Sequence, residues 1–346
     1  MARVIVRLTQ RTHIGSGPRA GFRQSTLTHI PGSVLRGAFA AAWLAAHGGA
    51  VDPTHRGEFI KLFEGPTIFG PCFAGLPPTP ASLRIHKYAP GDQCKTKLFI
   101  DDAKPMKPKD ASATSCAACH SPLERAKPTS NPFGPSPQPT AGRSTVARSH
   151  VTIADDGVAK DSELFMREEI NHRNVASFVG RLEGDAVSIR RLSALTTLRI
   201  GGRRTTSGRA VATIEPDEQF DPPRVIRVHS PLLVLRLSSP GIFVDSHGAP
   251  TSEPDRAELE SMLGVPIVDV RKWFRWTEVG GWHAASNLPK HVDRAVDAGA
   301  TYRIVLGDEP DPAALKSLAS GIGLRRHEGF GCVGGSESDP EGWSRG

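Results

Sequence analysis

Apolar and charged positions alternate over Ala2-Arg3-Val4-Ile5-Val6-Arg7-Leu8, the period of a half-buried strand. An Ala-rich run from Val34 to about His47 follows, with Ser33 as its expected N-cap, and predicts a helix. Residues 53–62 predict a second short helix, and 63–83 read as proline-rich loop. No period is visible from about 85 to 145, a length of loop that needs a staple inside a compact domain. Strands are expected at Ser149–Ile153, Leu164-Phe165 and Ala176–Leu182. After an acidic, proline-bearing stretch at 216–223 the pattern restarts. It gives strands at Val225–His229, Leu232–Leu237, Ile242–Val244 and Tyr302–Leu306. Helices are expected at Glu258–Leu263, Asp293–Asp297 and Asp311–Ser320, and Phe330–Val333 opens a last strand. Val268–Trp276 and Gly280–Trp282 carry three of the five tryptophans and read as core or interface.

Each half thus holds strands with helices between them and a glycine-rich loop near its end. The reading is α+β: two ferredoxin-like βαββαβ halves. The first spans 1–216 with a zinc-stapled insertion at about 85–145, the second spans 217–333, and 334–346 form a flexible tail.

The two loops share one grammar. Gly321-Ile322-Gly323-Leu324-Arg325-Arg326-His327-Glu328-Gly329-Phe330-Gly331 brackets two arginines and a histidine with glycines. Leu198-Arg199-Ile200-Gly201-Gly202-Arg203-Arg204-Thr205-Thr206-Ser207-Gly208-Arg209 does the same. Glycine lets backbone approach a ligand closely, exposed N–H groups bind anions, and arginine forks match phosphate. The order is helix, loop, strand, the reverse of a dinucleotide or P-loop fingerprint. Pro31-Gly32-Ser33 opens a helix whose first-turn N–H groups suit an anion, with Arg36 on that turn.

Charge fits this picture: a net charge of +7 suits a polyanionic partner. No apolar run reaches membrane-spanning length, so no membrane partner is expected. An odd count of five cysteines with no export signal argues for a reducing cytoplasm and against a disulfide framework. Cys116-Ala117-Ala118-Cys119 is a two-ligand zinc knuckle, and Cys94 is placed to be a third ligand. The fourth is assigned to His120, with Cys72 and His86 as alternatives. A structural Zn2+ there would staple the aperiodic region. Cys-x-x-Cys-His also matches a c-type haem attachment site, which needs export. Cys332 reads as simply buried.

Catalytic candidates are sparse. His29, His150 and His327 lie in or beside the basic segments and could each serve as general base of a metal-independent ribonuclease, although each alone is more often a phosphate contact or a packed side chain. Asp101-Asp102 and Asp155-Asp156 are adjacent carboxylates, which ordinarily point apart. No Gly-x-Ser-x-Gly, Walker or His-Glu-x-x-His motif occurs.

Four segments in order resemble the RAMP superfamily of CRISPR-associated RNA-binding proteins. Ile30-Pro31-Gly32-Ser33-Val34-Leu35-Arg36-Gly37-Ala38 resembles its "IPGSSLRGAL" helix start. Ser149-His150-Val151-Thr152-Ile153 through Glu163-Leu164-Phe165 and Glu168-Glu169 resembles its "HVAID…G.LF..E" segment. Leu198–Val211 and Gly321–Val333 resemble its two glycine-rich loops. The cysteine-bearing insertion and the Gly281-Trp282 and Leu288-Pro289-Lys290 segment are most similar to the type III-D effector subunit that caps the 5′ handle of the guide RNA. The resemblance implies a non-catalytic guide-RNA (crRNA) binding role carried by Ser33, Arg36, Arg203, Arg204, Arg325 and Arg326, with Gly321, Gly323, His327 and Gly329 in the same motif. It implies other CRISPR effector subunits as partners, and target RNA or DNA indirectly. A guide-processing endoribonuclease and a repeating backbone subunit over the guide spacer are the alternatives within the superfamily. One departure is Gly208-Arg209-Ala210, where the family favours Gly-aromatic-Gly.

Overall fold

The computed structural model describes residues 1–15, 22–49, 52–75, 77–88, 94, 99–103, 114–116, 119–126, 144–175, 177–202, 206–216, 227–229, 231–283 and 288–334. The fold is mixed α+β, with several antiparallel sheets and few helices. The chain forms two compact units. The first comprises Met1–Gly75, Pro137–Phe220 and His327–Gly329; the second comprises Leu76–Ser136, Asp221–Arg326 and Phe330–Gly346. No helix among the described residues is long and apolar enough to cross a membrane.

The first unit is built on a five-stranded antiparallel sheet. Its order is Thr197–Arg199, Arg209–Pro216, Ala2–Leu8, Phe178–Glu183, Ile68–Phe73. The alternation in Ala2–Leu8 sends Ala2, Val4, Val6 and Leu8 into the core. Helix Gly32–Ala46 adds Leu35, Ala38, Phe39 and Trp43, spaced three and four apart, to the same core. Helix Ala186–Ser193 adds Ile189 and Leu192. Asp185 caps that helix by accepting from the Val187 and Ser188 N–H groups. The Ser188 bonds, with Lys61 nearby, pull its carboxyl down to about 2. A separate sheet pairs Thr145–Ile153 with Ala159–Ile170, and Arg23–Gln24 runs parallel to the latter. Its outer face leaves Val151, Ile153 and Leu164 exposed.

The second unit has a four-stranded sheet ordered Arg227–His229, Leu232–Arg236, Thr301–Leu306, Ile267–Trp273. Leu233, Leu235, Tyr302, Ile304 and Leu306 form its core with Leu259 and Leu263 of helix Arg256–Leu263. Asp255 caps this helix, accepting from the Glu258 N–H, and Gly264 ends it in the left-handed region at φ 70°. A short helix, Pro312–Ser317, precedes the glycine-rich loop, which returns to the sheet as a single bridge from Val333 to Leu237.

Several elements differ from the sequence reading. The insertion is not featureless: Leu83–His86 is a central strand flanked by Phe99–Asp101 and Leu123–Arg125. These strands fall within the second unit. Asp101 pairs with Arg236, the Ala81 N–H donates to Gly299 O at 2.8 Å, and Arg275 donates to Ala126 O at 2.9 Å. Ile68–Phe73 lies in the stretch read as loop but is an edge strand. Its Gly70-Pro71 pair falls at the register shift between Phe69 and Cys72, where a proline is tolerated. Asp293–Val296 is a strand paired with Trp276–Val279 rather than a helix. Arg294 sits 4.3 Å from the ring centroid of Trp276, which places that tryptophan at the surface. Ile242–Val244 makes only isolated bridges nearby, through Gly241 and Val244. Residues 335–346, the expected tail, lie outside the described residues.

Candidate nucleic-acid interface and metal centre

The C-terminal glycine-rich loop is held by backbone bonds within the second unit. The Ile322 N–H donates to Gly331 O at 2.9 Å, Leu324 to Ile242 O at 3.0 Å, Gly331 to Pro240 O at 2.8 Å, and Cys332 to Ser239 Oγ at 2.9 Å. These donors are therefore engaged internally rather than offered to an anion. The density of glycine is explained in part by contact. A Cβ on Gly331 would collide with Ile322 O.

The arginines differ in freedom. Arg325, at φ 56°, pairs with Asp293 at 2.5 Å and lies 4.8 Å from the Phe330 ring centroid. Arg326 reaches Gly321 O with one guanidinium nitrogen at 3.4 Å and is half-buried. Gly321 and Gly323 sit at φ 86° and 80°. His327–Gly329 belongs to the first unit, where His327 Nε2 lies 3.9 Å from Glu328. There Gly329 and Gly32 face each other against Phe69 O.

At the helix start the cap is Pro31, with no side-chain capping bond, and its carbonyl receives the Val34 and Leu35 N–H groups. Ser33 is therefore inside the first turn and is not the N-cap. Arg36 bonds Phe63 O through Nε at 2.6 Å and Glu64 through Nη2 at 2.6 Å, with 12% of its side chain exposed. Its charge is matched inside the protein. In the other loop the Gly202 N–H donates to His13 O at 3.0 Å and Gly208 to Arg11 O at 3.1 Å. Arg203 and Arg204 lie outside the described residues.

The three candidate histidines sit on different elements. His150 stacks on Phe165 at 5.3 Å between centroids, within the hairpin. His29 stacks on Phe73 at 5.4 Å, and burial lowers its imidazole to about 4. The folded state therefore holds His29 neutral where the unfolded chain would protonate it near 6.5. The sign follows: the contribution is intact above 6.5 and is lost as pH falls toward 4. Lowering the pH across that window is expected to cost up to about 3 kcal/mol through this group. Urea unfolding at stepped pH checks it, with His29→Phe expected to remove that part of the slope. An unchanged slope in the variant would mean other groups carry it.

The metal centre is the best-formed cluster. His86 ends the central insertion strand, Cys94 follows it, and Cys116 and Cys119 precede Leu123–Arg125. One donor atom from each lies within 4.8 Å of all the others. His86 Nε2 is 3.4 Å from Cys119 Sγ and 3.7 Å from Cys94 Sγ, and Cys94 and Cys116 are 4.0 Å apart. A tetrahedral ion with bonds of about 2.0–2.3 Å needs donors roughly 3.4–3.8 Å apart, so this group could hold a metal ion. The fourth member of the cluster is His86, not His120. His120 is exposed at φ 56°, and its N–H donates to Cys116 O at 2.8 Å to close the knuckle turn. Cys72 is excluded because it lies buried in the first unit's sheet, where burial pushes its thiol up to about 12. Cys332 is buried, as expected. Asp101 and Asp102 diverge, pairing with Arg236 and Arg84 respectively.

Comparison with known proteins agrees with this chain's motifs. The family described as CRISPR-associated protein (Cas_Cmr3) matches residues 140–333, which span both glycine-rich loops but not the helix start or the metal cluster. No curated protein sequence matches the chain. Among solved structures, a chain of the type III-B Cmr-beta complex bound to cognate target RNA and AMPPnP is 10% identical over 87% of this chain and 86% of that one, with a TM-score of 0.44. A chain of the Csm3-Csm4 subcomplex of the type III-A interference complex is 14% identical over 89% and 94%, at 0.41. Oligomeric Cmr4 from Pyrococcus furiosus is 14% identical over 62% and 98%, at 0.28. At these scores the assignment rests on the family match, which covers more than half of the chain and bears out the RAMP-type, type III resemblance of the motifs. The chain belongs to the Cas_Cmr3 family of CRISPR-associated proteins.

Proposed function

We propose that this chain is the guide-RNA binding subunit of a type III CRISPR effector ribonucleoprotein that caps the 5′ handle, with III-D as its nearest subtype. The observation that carries the reading is the family match across both glycine-rich basic loops. Arg326, Arg203 and Arg204 would contact phosphate, supplying salt-dependent affinity, while unstacked bases are read at their edges. Arg325, already paired with Asp293, would position its loop, and Arg36, already paired with Glu64, would position the helix start that carries Ser33. Both sheets are read as ferredoxin-like. In the first unit the strands at Ala2, Ile68, Phe178 and Arg209 take the order fourth, first, third, second, with helices after the first and third. In the second unit the fourth strand would be reduced to the Val333 bridge. The insertion would carry one structural Zn2+ on His86, Cys94, Cys116 and Cys119. Other effector subunits are the expected partners, with target nucleic acid reached through the guide.

Binding of purified protein to guide-repeat RNA and to a scrambled sequence, across salt, tests this. Arg326→Ala is expected to weaken repeat binding about fivefold and lower the salt slope by about one. Cleavage of the repeat, lost in one of His29→Ala, His150→Ala or His327→Ala, would favour the ribonuclease instead. Equal weak binding to both RNAs, unchanged in the variant, would sink the guide reading.

A further inference from the structure

We infer that the acidic segment at 337–341 docks as an extended strap on the open face of the second unit's sheet, its carboxylates seated on Arg303 and Arg271. The site lies wholly in the second unit and does not rest on the guide-RNA reading.

The backbone aims the segment at that face. The Gly334 N–H donates to Arg236 O at 3.0 Å, and the Ser238 N–H donates to Cys332 O at 2.8 Å. Residues 332–334 therefore run beside Leu232–Arg236, on the edge away from Thr301–Leu306. Two residues further along that edge, Arg227 already pairs with Val234. The chain after Gly334 thus has to leave the plane of the sheet. One face is filled, because Leu233, Leu235, Tyr302, Ile304 and Leu306 pack there with Leu259 and Leu263. The other face carries Arg236, Arg303 and Arg271, which alternate with the core positions of their strands.

Two of these arginines lack a matched partner. Arg236 is taken by Asp101 of the insertion. In the next row Arg303 stands directly opposite Arg271 in the antiparallel register. Like charges directly opposite destabilise a sheet, and carboxylates seated on them reverse the sign. Arg303 is half-buried, and among the described residues its Nε has no hydrogen-bond partner. Arg271 meets Asp269 at 3.9 Å, with both side chains more than half exposed, a pair worth little.

The segment has the complementary chemistry. In Gly335-Ser336-Glu337-Ser338-Asp339-Pro340-Glu341 every charge is negative, and the acids fall at alternate positions. An extended chain sets alternate side chains on one side, and Pro340 biases Asp339 to extended backbone. Reach agrees. At about 4.8 Å between strands and about 3.3 Å per residue, Arg303 is about 12 Å from Gly334 and Arg271 about 16 Å. Glu337 and Asp339 come about 10 and about 17 Å along the chain, so each acid arrives near one guanidinium. The tether selects this occupant. It supplies an effective concentration on the order of millimolar, which favours the segment over an acidic ligand from solution.

The test digests the full-length protein with a Glu-specific endoprotease and follows cleavage after Glu337 and Glu341 by mass spectrometry. Cleavage tracks the undocked fraction. At low salt the wild type is expected to be cut about tenfold more slowly than a synthetic peptide of residues 333–346, and salt of about 1 M should remove most of that protection. Arg271→Gln, at an exposed position, is expected to speed cleavage about threefold, and Arg271→Gln with Arg303→Gln about tenfold. Asp339→Asn, which leaves the sheet untouched, should speed it about threefold. Arg190→Gln, at an exposed arginine of the first unit, should change nothing. Peptide-like cleavage of the wild type at low salt would overturn the inference. So would protection that survives in both Asp339→Asn and the double arginine variant, since the segment would then be held elsewhere. Protection that grows with protein concentration would overturn it too, by placing the segment on a second copy of the chain.

Discussion

Gly329→Ala is expected to destabilise the first unit by roughly 3–5 kcal/mol, although it adds only one methyl group. Two costs combine. Gly329 sits at φ 81°, where a Cβ costs about 1 kcal/mol. The new atom would also overlap Phe69 O and lie 2.8 Å from the Gly32 Cα. Phe69 O is backbone in the edge strand Ile68–Phe73, so relief requires moving a strand rather than turning a side chain. Gly32→Ala meets the same carbonyl, with Glu328 O at 3.0 Å, and should cost a similar amount. Gly37→Ala, in the same helix-start motif, is the control. Nothing lies within 4 Å of a Cβ there, and the position is helical and exposed. It is expected to stabilise by about 0.5–1 kcal/mol. Hydrogen exchange of the Gly32–Ala46 helix and Ile68–Phe73 strand reads all three. Equal small effects would mean that the close approach of Gly32 and Gly329 is not a packing constraint.

These glycines also mark the limit of what the sequence reveals. Their density was legible, and so was the prospect of close backbone approach. What approaches them is this protein's own backbone at Gly32, Gly329 and Gly331, a long-range fact with no local signature. Local periodicity did better. Ala2–Leu8, the Ala-rich helix and the Tyr302 strand follow from alternation or helical spacing alone. Ile68–Phe73 did not, because Gly70 and Pro71 are breakers except at a bulge on a sheet edge. Asp293–Val296 is four residues whose partner, Trp276–Val279, fixes their state. The insertion's attachment rests on Asp101 with Arg236, residues 135 apart in the chain. The knuckle at Cys116 and Cys119 was plain, while its partner His86 lies 30 residues upstream of Cys116. The signal available for it was a histidine closing a short alternating strand, Leu83-Arg84-Ile85-His86, eight residues before Cys94.

That ligand assignment governs the other large effect. As isolated, the protein is expected to carry about one zinc per chain, and Cys116→Ser to lose it. Among the described residues the insertion has little apolar packing to hold it. Its apolar cluster consists of Leu83 and Ala126 with Ile85 packed against them, far too few groups to offset the ordering of its strands. Asp101 with Arg236 ties one end of the sheet, and the His86, Cys94, Cys116 and Cys119 cluster lies at the other. Removing the metal should therefore melt the sheet locally rather than the whole chain. A loss of roughly 4 kcal/mol would lower amide protection in Leu83–His86 and Leu123–Arg125 by about three decades. Amides of Ala2–Leu8, in the first unit's core, should keep theirs. His86→Ala is expected to behave like Cys116→Ser, whereas His120→Ala, whose side chain is outside the cluster, should keep the metal. Metal content by mass spectrometry decides between the two histidines. If chelation strips zinc and the insertion strands stay protected, the ion is not what holds them. The bonds to the rest of the second unit, through Asp101, Ala81 and Ala126, would then be carrying the sheet.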